Sequence, residues 1–258
     1  MSAFEILDGD PASPLVLHVP HSSRVIPPDA RSGILLDDAA LEAELDAMTD
    51  AHAALIAAEL AARLPLRPWQ FVNRTSRLVV DPERFPDPEQ EEMTAVGMGA
   101  VYTRTSHRQP LRDDDPTHRA DLIERYFDPY AAAMTDLVEE RRQTVGRVLV
   151  IDIHSYPRHA LPYELHAAAR RPALCLGVDE RHTPADLVEA FTSAFDDVVV
   201  NEPFAGCYLP LQHYGSSTDV FGVMLEIRRD TYLRDGEPDQ QQVAALADEA
   251  AQALTHSG

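Results

Sequence analysis

From residue 148 to 157 the chain reads VLVIDIHSYP, an apolar run the length of a buried strand that stops at Asp152, Ile153, His154 and Ser155. Residues two apart on a strand share a face, so Asp152 and His154 point one way while Ile151 and Ile153 pack the other. Open α/β sheets carry their active sites at that edge. Taken alone, the segment reads equally well as a satisfied core histidine beside a turn-capping acid. The segment PLVLHVPHSS at residues 14–23 repeats the pattern, an apolar strand followed by His21 and two serines. Two strands that both end in His-Ser point to a shared polar centre.

Strands alternate with helices along the rest of the chain, which makes it an α/β protein. Residues 37–64 predict one long helix, with Asp37 or Asp38 as N-cap and an apolar stripe through Leu41, Leu45, Met48, Ile56 and Leu60. Asp46 and Asp50 then stand four apart on one helix face, a repulsive spacing unless something positive lies between them. Residues 71–80 predict a strand that carries Asn73, Arg74 and Arg77 amid apolar neighbours. Residues 81–117 form a long polar excursion, of a length that is usually functional or mobile. A helix over 116–144, strands over 174–178 and 198–201, and a helix over 183–195 capped by Thr183 follow. Residues 203–215 predict a strand and turn, 220–227 a buried strand ending in Glu226, and 238–254 a C-terminal helix.

At 258 residues the chain is long enough for one large domain, residues 1–258, and no Pro/Gly/Ser-rich linker divides it. Its 22 basic residues, all arginine, face 43 acidic ones for a net charge of −21. Such a surface repels phosphate backbones and anionic membranes, so nucleic acid and lipid are excluded as expected partners and small molecules favoured. The sequence does not fix the oligomeric state. Cys175 and Cys207 lack metal-ligand spacing and fit a reducing cytoplasm. The N-terminus has neither a basic n-region nor an apolar h-region, and no apolar run approaches about 18 residues, so a soluble, unexported protein is expected.

Hydrolytic zinc sites take three protein ligands, commonly two histidines and a carboxylate, and keep a fourth position for water. His21 and His154 end two strands, and the helix between them offers Asp50 or Asp46. Glu226 is the one acid in the run VFGVMLEI. Burying it costs several kcal/mol unless it is paired or solvated at a site. It reads either as a salt-bridge partner of Arg228 or as the general base of a hydrolase. Arg74 and Arg77 read either as neutralisers of internal acid or as bidentate seats for an anionic substrate.

Six blocks carry a resemblance: PHSS at Pro20, TDAH at Thr49, NRTSRLVVD at Asn73, DIHSY at Asp152, FAGCYLPLQHYG at Phe204 and MLEIRRDTY at Met224. They occur in the order of the N-formylglutamate amidohydrolase family, and the chain resembles that family over almost its whole length. The resemblance implies a three-layer α/β/α fold with a mixed, mostly parallel sheet, similar to the zinc carboxypeptidase (phosphorylase/hydrolase-like) fold. It implies zinc held by His21, Asp50 and His154, Glu226 as catalytic acid/base, and substrate binding by Arg74, Arg77, Asn73 and Tyr208. The implied reaction is cleavage of the amide of a small N-acyl amino acid. Two departures accompany it. Carboxypeptidases place their carboxylate ligand three residues after the first histidine, where this chain has Arg24; Ser23 follows PHS where members closest to the named activity have Gly. The rival readings are a deacylase for another acyl amino acid and a non-catalytic metal- or ligand-binding protein, which would have no need of an unpaired acid at Glu226.

Overall fold

The computed structural model describes residues 3–256. Seven strands form one sheet: β1 (Phe4–Leu7), β2 (Leu15–Val19), β3 (Trp69–Asn73), β4 (Val148–Tyr156), β5 (Leu174–Gly177), β6 (Val198–Val200) and β7 (Val220–Arg228). Their spatial order is β1-β3-β2-β4-β7-β5-β6. The pairs β1·β3 and β5·β7 are antiparallel and the other four parallel, so the sheet is mixed and mostly parallel.

The α-helices are α1 (Pro28–Arg31), α2 (Asp38–Met48), α3 (Ala53–Ala61), α4 (Pro116–Leu122), α5 (Asp128–Val145), α6 (Ala185–Ala194) and α7 (Gln240–His256); both sheet faces are covered, and strand alternation decides what each face holds. The odd-numbered residues Leu17, Ile151, Ile153, Val223 and Leu225 pack under α3 (Ala53–Ala61), α6 (Ala185–Ala194) and α7 (Gln240–His256). The even-numbered Val16, Val148, Val150 and Val220 pack under α5 (Asp128–Val145), through Tyr130, Met134, Leu137 and Val138. This even row turns polar toward the C-terminal ends of β2, β4 and β7, where it continues as His18, Asp152, His154 and Glu226. Burying an aliphatic side chain at any of these positions would stabilise the sheet by about 1.5–3 kcal/mol. The sequence forgoes that burial at one edge of one face, which is where an open α/β sheet has its crevice.

Three elements differ from the sequence expectation. The long helix over 37–64 is two helices, α2 (Asp38–Met48) and α3, with Asp37 capping the first through Ala40 N at 2.8 Å. The break falls at residues 49–52, where His52 takes a left-handed backbone (φ 59°) that interrupts the helical path. Asp46 and Asp50 therefore do not share a helix face. Second, β3 ends at Asn73, and Arg74 and Arg77 lie in the turns beyond it. Third, residues 203–215 form no strand; they lie as a loop over the even face, and Thr183, donating to Gly222 O at 2.6 Å, does not cap α6. Gly222 permits the loop's close approach, because a Cβ there would meet Cys207 Sγ at 2.8 Å. Among the described residues no helix is long and apolar enough to cross a membrane.

Candidate active site

The break between α2 and α3 is what delivers the carboxylate. Asp50 N–H donates to His21 O at 2.9 Å, tying the interrupted helix to the residue just past β2. His154 stands near the end of β4, and all three side chains are buried. Their donor atoms converge: His154 Nδ1 is 2.9 Å from Asp50 Oδ2, His21 Nδ1 is 3.2 Å from His154 Nδ1, and His21 Nδ1 is 3.6 Å from Asp50 Oδ2. Asp46 is elsewhere, exposed and paired with Arg24 at 2.6 Å.

The far side of each imidazole is held by a second acid. His21 Nε2 meets Asp81 Oδ1 at 2.9 Å; His154 Nε2 meets Asp152 Oδ2 at 3.0 Å and Glu83 Oε2 at 3.1 Å. A histidine that donates Nε2–H to a carboxylate presents its Nδ1 lone pair on the other side, the arrangement characteristic of metal-bound imidazole. Two nitrogens and one carboxylate oxygen at these separations fit a tetrahedral cation, whose donors at bonds of about 2.0–2.1 Å lie roughly 3.3 Å apart. The same residues contribute to two further acid-histidine clusters, His18 with Glu83 and Asp152 and His21 with Asp81 and Glu83. Neither has two imidazoles. His18 is also committed on both nitrogens, to Asp152 Oδ1 at 2.9 Å and Tyr130 OH at 2.5 Å.

Charge in this centre is partitioned by its neighbours. Burial alone would raise Asp50, Asp81 and Asp152. For Asp50 the histidines His154 and His21 outweigh it, for Asp81 Arg77 and His21, and for Asp152 His154 and His18, so all three are held below the usual carboxylate range. Burial would lower His154, but Asp152 and Glu83 raise it. Arg229 steadies Asp50 from behind: its Nη2 is 3.6 Å from Asp50 Oδ1, and it donates to Ser155 Oγ and Ala47 O, both at 3.2 Å.

Glu226 is the exception among these acids. Its register partner across β4·β7 is His154, it lines the same cleft, and its Oε2 is buried without a hydrogen-bond partner. Burial pushes its pKa up to about 7, against the pull of His154. Arg228 does not neutralise it, being paired with Asp230 at 2.6 Å. Glu83 also has a raised pKa, from burial and Asp152, yet its oxygens engage His154 on the side away from Asp50.

The cleft has a volume of about 600 Å³ and is walled by residues of the 81–85, 161–166 and 203–214 segments. Of the four residues expected to bind substrate, Arg77 and Tyr208 line it. Arg77 donates to Asp81 Oδ2 at 2.7 Å and Tyr102 OH at 2.9 Å, while the Tyr208 ring lies 4.4 Å from that of His18. Arg74 and Asn73 do not line it. Arg74 makes an exposed ion pair with Glu5, because the chain has left the sheet after β3. Asn73 is buried and committed to backbone: it donates to Pro20 O at 2.8 Å and accepts from Thr75 N at 3.0 Å, which positions the chain entering His21. Sequence reasoning assigned no role to His18, Asp81, Glu83 or Arg229. His18 was accessible through parity, two residues after the buried Val16; Asp81 and Glu83 lie in an irregular segment with no periodicity to place them.

The mixed α/β fold has solved counterparts. The N-formylglutamate amidohydrolase of Ralstonia eutropha JMP134 shares the fold with a TM-score of 0.81 at 22% identity, over 100% of this chain and 98% of that one. A gene product of Agrobacterium tumefaciens shares it with a TM-score of 0.73 at 21% identity, over 100% and 95%. No curated protein matches the chain by sequence. The chain belongs to the N-formylglutamate amidohydrolase family, whose model matches residues 13–233. By that membership it falls among hydrolases acting on amide bonds.

Proposed function

We propose that this protein is a zinc-dependent amidohydrolase that cleaves the amide of a small, carboxylate-bearing N-acyl amino acid of the N-formylglutamate type. The observation that carries the reading is Glu226: a half-buried acid whose Oε2 is fully buried without a hydrogen-bond partner and whose pKa is pushed up to about 7, in the same cleft as two histidines and an aspartate whose donor atoms converge. A binding protein has no use for such an acid, and leaving it unpaired is costly. A hydrolase needs one.

His21, Asp50 and His154 hold the ion, with Asp81 and Asp152 fixing the imidazole tautomers. Bound there, zinc supplies Lewis-acid polarisation of the amide carbonyl and acidification of water. Glu226 in its ionised form takes a proton from the attacking water at its free Oε2 and returns it to the departing nitrogen. Arg77, charged and on the cleft wall, contributes positive charge toward a substrate carboxylate. The cysteines Cys175 and Cys207 are both free, which supports the cytoplasm as the place of action.

The test is amine release from a panel of N-acyl amino acids by the purified protein, before and after chelation. Chelator-sensitive, zinc-restored turnover is the expected result. A protein that binds zinc stoichiometrically and turns over none of the panel would be a binder on this fold.

A further inference from the structure

Arg77 is only part of the positive charge at this end of the cleft. Arg84, three residues past Asp81, lines the same cleft as His21, His154 and Glu226. Its Nε is buried and has no hydrogen-bond partner. The acids nearest to it stand off, Asp81 Oδ2 at 3.7 Å from Nε and Glu91 Oε1 at 3.9 Å from Nη1, beyond hydrogen-bond length. Neither acid is free to come closer. Glu91 accepts the backbone N–H groups of Phe85 at 3.0 Å and Met93 at 2.9 Å. Asp81 already accepts from His21, Arg77 and Tyr102.

Two guanidinium groups thus share one fully engaged carboxylate, and each repels the other. With both neighbouring carboxylates engaged elsewhere, the Arg84 guanidinium keeps unmet donors on the cleft wall, which an anion entering the cleft can satisfy. The geometry also separates the two arginines by task. Arg77 is committed on Nε and Nη2 and braces Asp81 behind His21; the fork of Arg84 donates to no described residue. A planar fork with its donors unmade is the arrangement that receives a carboxylate bidentately.

We propose that Arg84 is the principal anion-binding residue of the cleft, taking one carboxylate of the substrate, with Arg77 as its neighbour in charge. This rests on the amidohydrolase reading for the identity of the ligand, an acidic amino acid or its N-acyl derivative, but not for the existence of the subsite.

Calorimetric titration of the zinc-loaded protein with glutamate, glutamine and isoglutamine tests it without turnover. One of the two mono-amides lacks the carboxylate that Arg84 holds. Arg84→Gln should weaken glutamate by about tenfold or more, the usual loss for a charge-assisted hydrogen bond, and leave that one mono-amide's binding unchanged. Arg84→Lys, which keeps charge but not the fork, should fall between and serves as the readout should the glutamine variant unfold. Equal weakening of all three ligands, unchanged binding of all three, or no binding of any by the wild type would overturn the subsite. If discrimination depends on Arg84 while no acyl amino acid is hydrolysed, the subsite stands and the amidohydrolase reading fails.

Discussion

His154 and Glu226 face each other Cα to Cα across the parallel strands β4 and β7. The same register pairs Val148 with Val220 six residues earlier, on the face covered by α5. The imidazole and the carboxylate to which we assign metal binding and proton transfer are therefore spaced by a sheet ladder, not by loops. Sites on such elements hold their geometry within narrow limits. The rest of the cleft is walled by the irregular segments 81–85, 161–166 and 203–214.

The helix break separates Asp50, the expected ligand, from Asp46, its alternative one turn earlier. Asp50→Ala should abolish stoichiometric zinc binding by elemental analysis, because two protein ligands rarely hold the ion against water. Asp46→Ala removes only an exposed ion pair with Arg24 and should keep its zinc and fold within about 1 kcal/mol of wild type. The reverse pattern would mean that the ligand set has been misassigned.

Arg74 and Arg77 should separate in the same manner. Arg77→Ala leaves Asp81, which is buried beside His21, without its closest cation, so it should raise KM and also weaken zinc. Arg74→Ala breaks a surface pair with Glu5 and should leave KM for a carboxylate substrate within about twofold. A large KM effect at Arg74 would place substrate where the cleft does not reach.

Much of this was readable before any coordinates. His21 is marked by the His-Ser pair after the apolar strand β2, while the polar end of β4 follows from strand periodicity, which locates Asp152 and His154 without tertiary information. Glu226 was legible for the same reason, as an acid in an apolar run. Asp50 was only half legible, because Ala-rich sequence on either side of residues 49–52 favours continuous helix and nothing local outweighs it. The break is made by tertiary contacts, Asp50 N–H to His21 O and Tyr232 OH to Ala51 O among them, which compensate the lost helical bonds. The exchange of Arg74 for Arg84 had no sequence signal, since both flank a segment whose turns decide which guanidinium enters the cleft.

The acids behind the imidazoles should matter almost as much as the ligands. Asp81→Asn and Asp152→Asn keep shape but lose the charge that draws Nε2–H of His21 and His154. Each should weaken zinc by about 10–100-fold, the usual effect of losing such a partner, measured by competition with a chromophoric chelator. Zinc affinity unchanged in both variants would show that the tautomers are set by something else.

Glu226 gives a prediction that needs no substrate. In the unfolded chain it ionises at the ordinary glutamate value of 4.5, and in the folded, metal-free protein at about 7. Between those values the folded state holds more protons than the unfolded one, so this group's contribution to stability is intact below 4.5 and is lost as pH rises through about 7. Glu226→Gln is neutral throughout and lacks that slope. The Tm of the chelated variant, relative to chelated wild type, should therefore be higher at pH 8 than at pH 5.5. Zinc content should be retained, and kcat should fall on the order of a hundredfold or more, the scale of general-base removal. A Tm difference that does not change with pH would mean that Glu226 is solvated in the cleft, and the argument for its role as the base would lose its physical ground.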